Sequence, residues 1–236
     1  STRDEWNPCA FYYEGTYNRT YFSWIDYDGY IQCAYYDHDS NTTSSSVTVD
    51  TAYTGDRQHA NPSLIVDGSG YIHVMYGGHS TAMDYKRSSN TEDISSWSTM
   101  SSPCTGTYPN LAFENGNLWV IYRDNSYDIE YKVASDASPV GDSWSAATTL
   151  VSAGSMPGYA EYPTYVQNDG SYIHVLVDDR ISNTPDSRFG GVYYTRYDIV
   201  GDNWELADGT VKSPPLGSSS MDLVCGDIPY RGFHPS

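Results

Sequence analysis

One phrase recurs along this chain at near-constant spacing, and it restricts the fold to an array of similar small sheets. It first appears clearly as Asn61-Pro62-Ser63-Leu64-Ile65-Val66-Asp67-Gly68-Ser69-Gly70-Tyr71-Ile72-His73-Val74. It returns as Tyr162-Pro163-Thr164-Tyr165-Val166-Gln167-Asn168-Asp169-Gly170-Ser171-Tyr172-Ile173-His174-Val175. Between the two lies Tyr108-Pro109-Asn110-Leu111-Ala112-Phe113-Glu114-Asn115-Gly116-Asn117-Leu118-Trp119. A weaker copy starts at Asn7-Pro8 and runs through Tyr13-Glu14-Gly15 to Tyr21-Phe22-Ser23-Trp24. The prolines at 8, 62, 109 and 163 are 54, 47 and 54 residues apart, a period that suits a propeller blade of four short strands.

Within each copy, strand A follows the proline, where a missing N–H donor is harmless. A turn rich in Asp, Asn and Gly leads into an alternating strand B. Strand C carries Tyr85, Tyr131 or Tyr194, and Trp97, Trp144 or Trp204 opens strand D. The expected fold is an all-β propeller of four-stranded antiparallel blades, with repeats near 7–57, 58–105, 106–158 and 159–212 in one domain spanning 1–236. Residues 213–236 are expected to form a partial fifth blade or a strand that closes the ring.

Composition agrees with strands. There are 24 Tyr and 6 Trp for half-buried pleated surfaces, and 20 Gly and 12 Pro for turns. No apolar run is long enough for a membrane-spanning helix. The net charge of −18, with Lys86, Lys132 and Lys212 the only lysines, argues against nucleic acid and anionic membranes as partners. It also means that an anionic ligand needs a locally basic pocket. Cys9, Cys33, Cys104 and Cys225 form no CxxC pair, so no metal centre or cofactor is expected, a structural Ca2+ being left open. The even cysteine count suggests an oxidising compartment, with a Cys9–Cys33 disulfide across neighbouring strands of the first repeat and Cys104–Cys225 as a second pairing. Asn18-Arg19-Thr20 and Asn41-Thr42-Thr43 are glycosylation sequons, relevant to a eukaryotic source.

The repeat register separates structural from functional candidates. His73 and His174 occupy one slot in two blades, which points to packing. The slot 17 residues after the proline holds His79, Ser126 and Arg180, and varied chemistry at a fixed position is what a shared site requires. His59, Asn61 and Tyr162 lie just before strand A. In an up-and-down blade the loops entering A and leaving B emerge at the same end, so these residues are expected to join His79 and Arg180 there.

The stretch Gln58-His59-Ala60-Asn61-Pro62-Ser63-Leu64, followed by Gly70-Tyr71-Ile72-His73-Val74-Met75-Tyr76-Gly77-Gly78-His79 and Tyr85-Lys86-Arg87-Ser88, resembles the BNR-repeat propellers that include ulvan lyases. The resemblance implies a secreted or surface-attached propeller of about seven blades acting on acidic polysaccharide, more blades than this chain holds. It implies catalytic roles for His59, His79, Tyr162 and Arg180, with Tyr165 a competitor for Tyr162; Asn61, Arg123 and Tyr165 are the substrate-binding candidates. A uronate lyase must neutralise the sugar carboxylate with Arg and remove the C5 proton with His or Tyr. Sialidase chemistry needs three arginines on one carboxylate, and only Arg123 and Arg180 are in register. The alternative to a lyase is a non-catalytic glycan-binding adhesin, or a surface or filament protein that self-associates or carries further blades.

Overall fold

The computed structural model describes residues 9–55, 57–135, 139–158, 160–180 and 189–228. They form four successive antiparallel sheets, the blades of a β-propeller. The first sheet holds β1 (Cys9–Glu14), β2 (Asn18–Ile25), β3 (Ile31–Asp37), β4 (Thr42–Thr43) and β5 (Val47–Thr48), with β4 and β5 both on β3. The second holds β6 (Ser63–Val66) and β7 (Ile72–Tyr76); then comes the short β8 (Thr81–Ala82), which pairs forward into the third sheet; β9 (Asp84–Ser88) and β10 (Trp97–Met100) complete the second in the order β10-β9-β7-β6. The third runs β14-β13-β12-β11-β8, from β11 (Thr105–Glu114), β12 (Asn117–Arg123), β13 (Ile129–Ala134) and β14 (Thr148–Val151). The fourth holds β15 (Ala160–Asn168), β16 (Tyr172–Arg180), β17 (Phe189–Asp198), β18 (Asn203–Glu205), β19 (Val211–Lys212) and β20 (Asp222–Ile228). The described part of the tail therefore adds to this sheet: β18 covers the end of β17 at Arg196–Asp198, and β20 pairs with it from Phe189 to Tyr194.

By contacts the chain divides into two compact units, Ser1–Val120 with Lys132–Ala146, and Ile121–Tyr131 with Ala147–Ser236. The core of the first includes Tyr21, Ile31, Leu64, Val66, Ile72, Val74 and Tyr76, all buried. In the second, β16 alternates half-buried and buried residues along its whole length, placing Ile173, Val175, Val177 and Asp179 inward. Among the described residues no helix is long and apolar enough to cross a membrane.

The recurring turns share one device. The carboxylate of Asp67 accepts the backbone N–H groups of Ser69 and Tyr71 at 2.8 and 3.0 Å, closing the β6–β7 turn. Asp169 does the same for Ser171 and Tyr172 between β15 and β16, both at 2.9 Å. Asp26 serves the β2–β3 turn and Asp124 the β12–β13 turn. Gly29, Gly70 and Gly170 supply the positive φ that these turns need, and Tyr127 adopts it in the Asp124 turn.

The histidines that repeat behave as structural groups. His73, fully buried, meets the Tyr85 hydroxyl through Nδ1 at 2.6 Å and Asp67 through Nε2 at 3.2 Å. His174 repeats the pattern with Tyr194 at 2.7 Å and Asp169 at 3.1 Å, nearer to solvent. Burial pushes the Asp67 carboxyl up, but the hydrogen bond and charge of His73 with the two N–H groups bring it below the usual carboxylate range. The tryptophans also repeat a bond: the Trp97 indole donates to Ile94 O and the Trp144 indole to Gly141 O, each three residues back.

Two expectations change. Pro62 precedes β6, but Pro109 and Pro163 lie inside β11 and β15 rather than ahead of them. β15 is the edge of its sheet, and the pairing slips by a bulge between Pro163 and Tyr165, which accommodates a residue without a donor. Pro8 lies outside the described residues. Nor does the Cys9–Cys33 disulfide form, and all four cysteines are free thiols. Cys9 pairs with Ser23 and Ser23 with Cys33, so the two thiols sit on strands separated by β2. Two strand spacings make about 9–10 Å, beyond the roughly 7 Å Cα limit for a bridge. The Cys9 thiol instead donates to Leu64 O at 3.3 Å and accepts from Leu64 N at 3.0 Å.

Two outcomes follow for solution experiments. Titration of the denatured, unreduced protein with a thiol reagent is expected to count four free thiols; two or fewer would restore a bridge. His73→Ala, which strands a buried carboxylate and a buried phenol, is expected to cost about 2–4 kcal/mol in urea unfolding. His174→Ala, at a half-exposed copy of the same motif, is expected to cost about 1 kcal/mol or less.

Candidate functional site

The candidate residues fall into two clusters, one in each compact unit. In the first unit a short 3-10 turn, Arg57–His59, leads into β6. It is tied down by Arg57, which donates to Tyr53 O at 3.2 Å and to Tyr27 O at 3.1 Å. The His59 ring lies flat on the ring of His79, with centroids 3.9 Å apart and planes 7° apart. Tyr108 of β11 leans on His59 at 5.6 Å. His79 reaches this position because Gly77 and Gly78, both with positive φ, carry the loop tightly over the start of β11. A Cβ on Gly78 would come 2.3 Å from Gly106 O, so no other residue fits without moving the backbone. His79 is exposed and His59 half-buried. A side chain that can give or take a proton is thus presented to solvent by a rigid mount. Asn61 stands half-buried two residues beyond His59, at the entry to β6.

In the second unit Arg180, the last residue of β16, donates through Nη1 to the Tyr162 hydroxyl at 3.2 Å. Arg123, the last residue of β12 and 5 % exposed, places its guanidinium 4.7 Å from the centre of the Tyr162 ring and 5.2 Å from that of Tyr127. One phenol therefore touches two guanidinium groups, one at its oxygen and one at its face. Its hydroxyl oxygen accepts from Arg180, which leaves its own proton for another acceptor. Tyr165, beyond the bulge, is 46 % exposed with its hydroxyl on Gln167.

Three members of these clusters were not singled out by sequence. Tyr108 precedes Pro109 as Tyr162 precedes Pro163, and that shared Tyr-Pro pair was the available signal. Tyr127 is placed by the Asp124 turn, and Asp178 had no signal. Ser126 shares the offset of His79 and Arg180 but sits in the turn: β12 ends at Arg123, so the cation of that strand appears three residues early.

Asp178 pairs directly with Tyr162 across β15 and β16, on the face that also carries Arg180. Burial pushes its carboxyl up to about 6, and a hydrogen bond from Thr164 offsets this only in part. Its neighbour Asp179 faces the opposite side, fully buried, and burial raises it also, against a lowering contribution from the Gly158 N–H. Among the described residues no three His, Cys, Asp or Glu side chains group as a metal site.

Four blade-like antiparallel sheets with a paired-imidazole cluster and an Arg–Tyr–Arg cluster define a β-propeller of the repeat-bearing kind. Residues 19–233 match the family described as BNR repeat-containing family member, and the chain belongs to that family. It is 25% identical over 197 residues to the ulvan lyase of Nonlabens ulvanivorans, covering 70% of this chain and 41% of that protein. Among solved structures it is similar to a polysaccharide lyase of the PL25 ulvan-lyase family, with a TM-score of 0.68, 18% identity, and 91% of this chain against 57% of that one. The same lyase bound to -[GlcA(1-4)Rha3S]- gives a TM-score of 0.69 at 17% identity, with the same coverage. An exo-1,5-alpha-L-arabinanase from a bovine ruminal metagenomic library reaches 0.52 at 11% identity, covering 93% of this chain and 78% of that one. The chain thus spans about half the length of the lyases it matches.

The Asp178 shift has a consequence for stability. A carboxyl whose folded-state value lies above its unfolded one contributes stability that is present below the unfolded value and lost as pH rises through the folded one. Asp178→Asn is therefore expected to stabilise the protein by on the order of 1 kcal/mol at pH 7.5, after allowance for solvent screening, and to change little at pH 4. Thermal unfolding at the two pH values checks this; an equal effect at both would place Asp178 in the ordinary carboxylate range.

Proposed function

We propose that this propeller acts on an extracellular acidic polysaccharide and cleaves it as a lyase, by β-elimination next to a uronate. The carrying observation is the Arg180–Tyr162 hydrogen bond with the Arg123 guanidinium on the same ring. Such a cluster gathers two cations in a chain of net charge −18, and it suits a sugar carboxylate with a phenol beside it. In the proposed reaction Arg180, supported by Arg123, neutralises the uronate carboxylate and so acidifies the C5 proton. A base takes that proton, the electron pair forms the C4–C5 double bond, and the C4–O bond breaks. The leaving oxygen takes up a proton from an acid. Within this cluster proton transfer falls to Tyr162, with Tyr165 as a substrate contact; the stacked His59 and His79, with Asn61, form a separate candidate cluster in the other compact unit. The ulvan lyase relative and the glycan in the related structure support the substrate class.

Glycoside hydrolysis would need its carboxylates elsewhere than beside Arg180. It needs two carboxylates flanking one bond, and Asp178 and Asp179 are consecutive strand residues that point to opposite faces. A non-catalytic glycan-binding role is the second reading, favoured by the Arg180–Tyr162–Arg123 cluster, whose charge and phenol suit holding an acidic sugar whether or not a bond is broken.

Incubation with ulvan is expected to raise the ultraviolet absorbance of unsaturated uronate. Arg180→Ala is expected to lower that rate about 10²–10³-fold and His79→Ala about 10²–10⁴-fold, with His174→Ala close to wild type. Retained glycan binding without absorbing product would establish the binding reading instead.

A further inference from the structure

The stacked His59 and His79 stand in a strongly acidic chain, so an anionic ligand there needs a cation close by. Their own turn supplies one in Arg57. Its guanidinium lies against the β2–β3 turn of the first sheet, within the same compact unit. Nε donates to Tyr53 O at 3.2 Å and Nη1 to Tyr27 O at 3.1 Å. Gly29 permits the approach, since a Cβ there would come 2.7 Å from Arg57 Nε. The Tyr53 N–H donates to Gly29 O at 2.8 Å. The Tyr53 ring lies against Gly77 of the loop that carries His79, where a Cβ would come 2.8 Å from it. Arg57, the β2–β3 turn and the segments that hold the two histidines are therefore one connected corner of the first unit.

These bonds fix the guanidinium without neutralising it, because both acceptors are carbonyls. The other described arginines of this unit each meet a carboxylate, Arg19 with Asp37 at 3.1 Å and Arg87 with Asp142 at 3.2 Å. Asp26, in the turn beside Arg57, spends its carboxylate on the N–H groups of Asp28 and Tyr30 and on the Gln32 amide. Arg57 is exposed, and among the described residues its Nη2 has no protein acceptor. Tyr27, which lends the carbonyl, is 83 % exposed. A planar fork held on one side and open to water on the other suits the paired oxygens of an anion.

We propose that Arg57 is a substrate-binding residue beside His59 and His79: it takes an anionic group of an acidic glycan, a uronate carboxylate or a sulfate ester, on a sugar lying next to Tyr27. This rests on the acidic-polysaccharide reading of the chain but not on cleavage. The two carbonyl bonds set the side chain before the ligand arrives, so little further freedom is lost on binding. The contact is made in water, so each anion contributes modestly and salt weakens it.

The probes are an ulvan tetrasaccharide, its desulfated form, its carboxyl-reduced form, and the neutral form given both treatments. Binding is followed by NMR on the His79 ring signals at low ionic strength, in the wild type, Arg57→Gln and Arg57→Lys, with the ligand spectra checked for unsaturated product. Arg57→Gln is expected to lose about three- to tenfold in affinity for the anionic probes and nothing for the neutral one. Arg57→Lys keeps the charge but not the planar fork that grips both carbonyls, and is expected to stay within about twofold of the wild type. The desulfated and carboxyl-reduced arms tell which anion Arg57 takes. An equal loss for neutral and anionic probes, or a Lys variant as weak as Gln, means that Arg57 only braces the turn and overturns the proposal. So does a Gln variant that binds like the wild type, or anionic probes that leave the His79 signals unmoved. If the dependence on Arg57 holds and ulvan is not cleaved, the lyase reading alone fails. If ulvan is cleaved and Arg57→Gln binds it like the wild type, this proposal alone fails.

Discussion

Each of the four sheets among the described residues contains a turn closed by an aspartate that accepts two backbone N–H groups: Asp26, Asp67, Asp124 and Asp169. The bond is local, but its effect is not. Where the turn joins paired strands it sets the register between them, and a slip of one residue would exchange the buried and exposed faces of both. Part of the acidity is therefore structural: these carboxylates take the place of backbone acceptors at the turns. In the second and fourth sheets the same carboxylate also reaches a histidine on the following strand, and that histidine reaches a tyrosine on the next. One acidic residue thus ties three strands together.

Other residues are placed at the ends of these strands. His79 and Arg180 share an offset from their prolines, yet each is delivered differently. Gly77 and Gly78 bend the chain over β11 to present His79, whereas β16 simply runs on until Arg180. In the third sheet the cation comes earlier, at Arg123, and the Asp124 turn then places Tyr127 beside it. A common fold tolerates this because the loops beyond strand ends lie outside the hydrogen-bonded ladder, where length and conformation vary at low cost.

The site was legible in part. His59 and His79 are adjacent because a repeated segment returns the chain to one end of a sheet, and the repeat is visible in sequence. Arg180 and Tyr162 were legible by the same register. Tyr108 was overlooked although its Tyr-Pro pair matched that of Tyr162. Asp178 was not recoverable at all, since its raised carboxyl comes from burial, which depends on the folded packing around it. The Cys9–Cys33 expectation failed for a similar reason. Both cysteines belong to the first repeat, but Ser23 of the intervening strand lies between them in the pairing, and membership of a repeat does not reveal strand order.

By itself, the sequence determined the repeat, the strand alternation and the turns, because these depend on neighbours a few residues away and on the two-residue period of a pleated strand. It also marked His73 and His174 as structural, since a residue type kept at one repeat slot meets the same partners each time. Only the tertiary structure decided that the strand holding Pro163 carries a bulge, that the cysteines stay apart, and that Arg123 and Arg180 meet on one tyrosine. Those outcomes depend on distances between residues far apart in the chain, and on how much water is excluded around each charge. Neither quantity is a function of local sequence, because both are set by which sheet faces come together when the whole chain has folded.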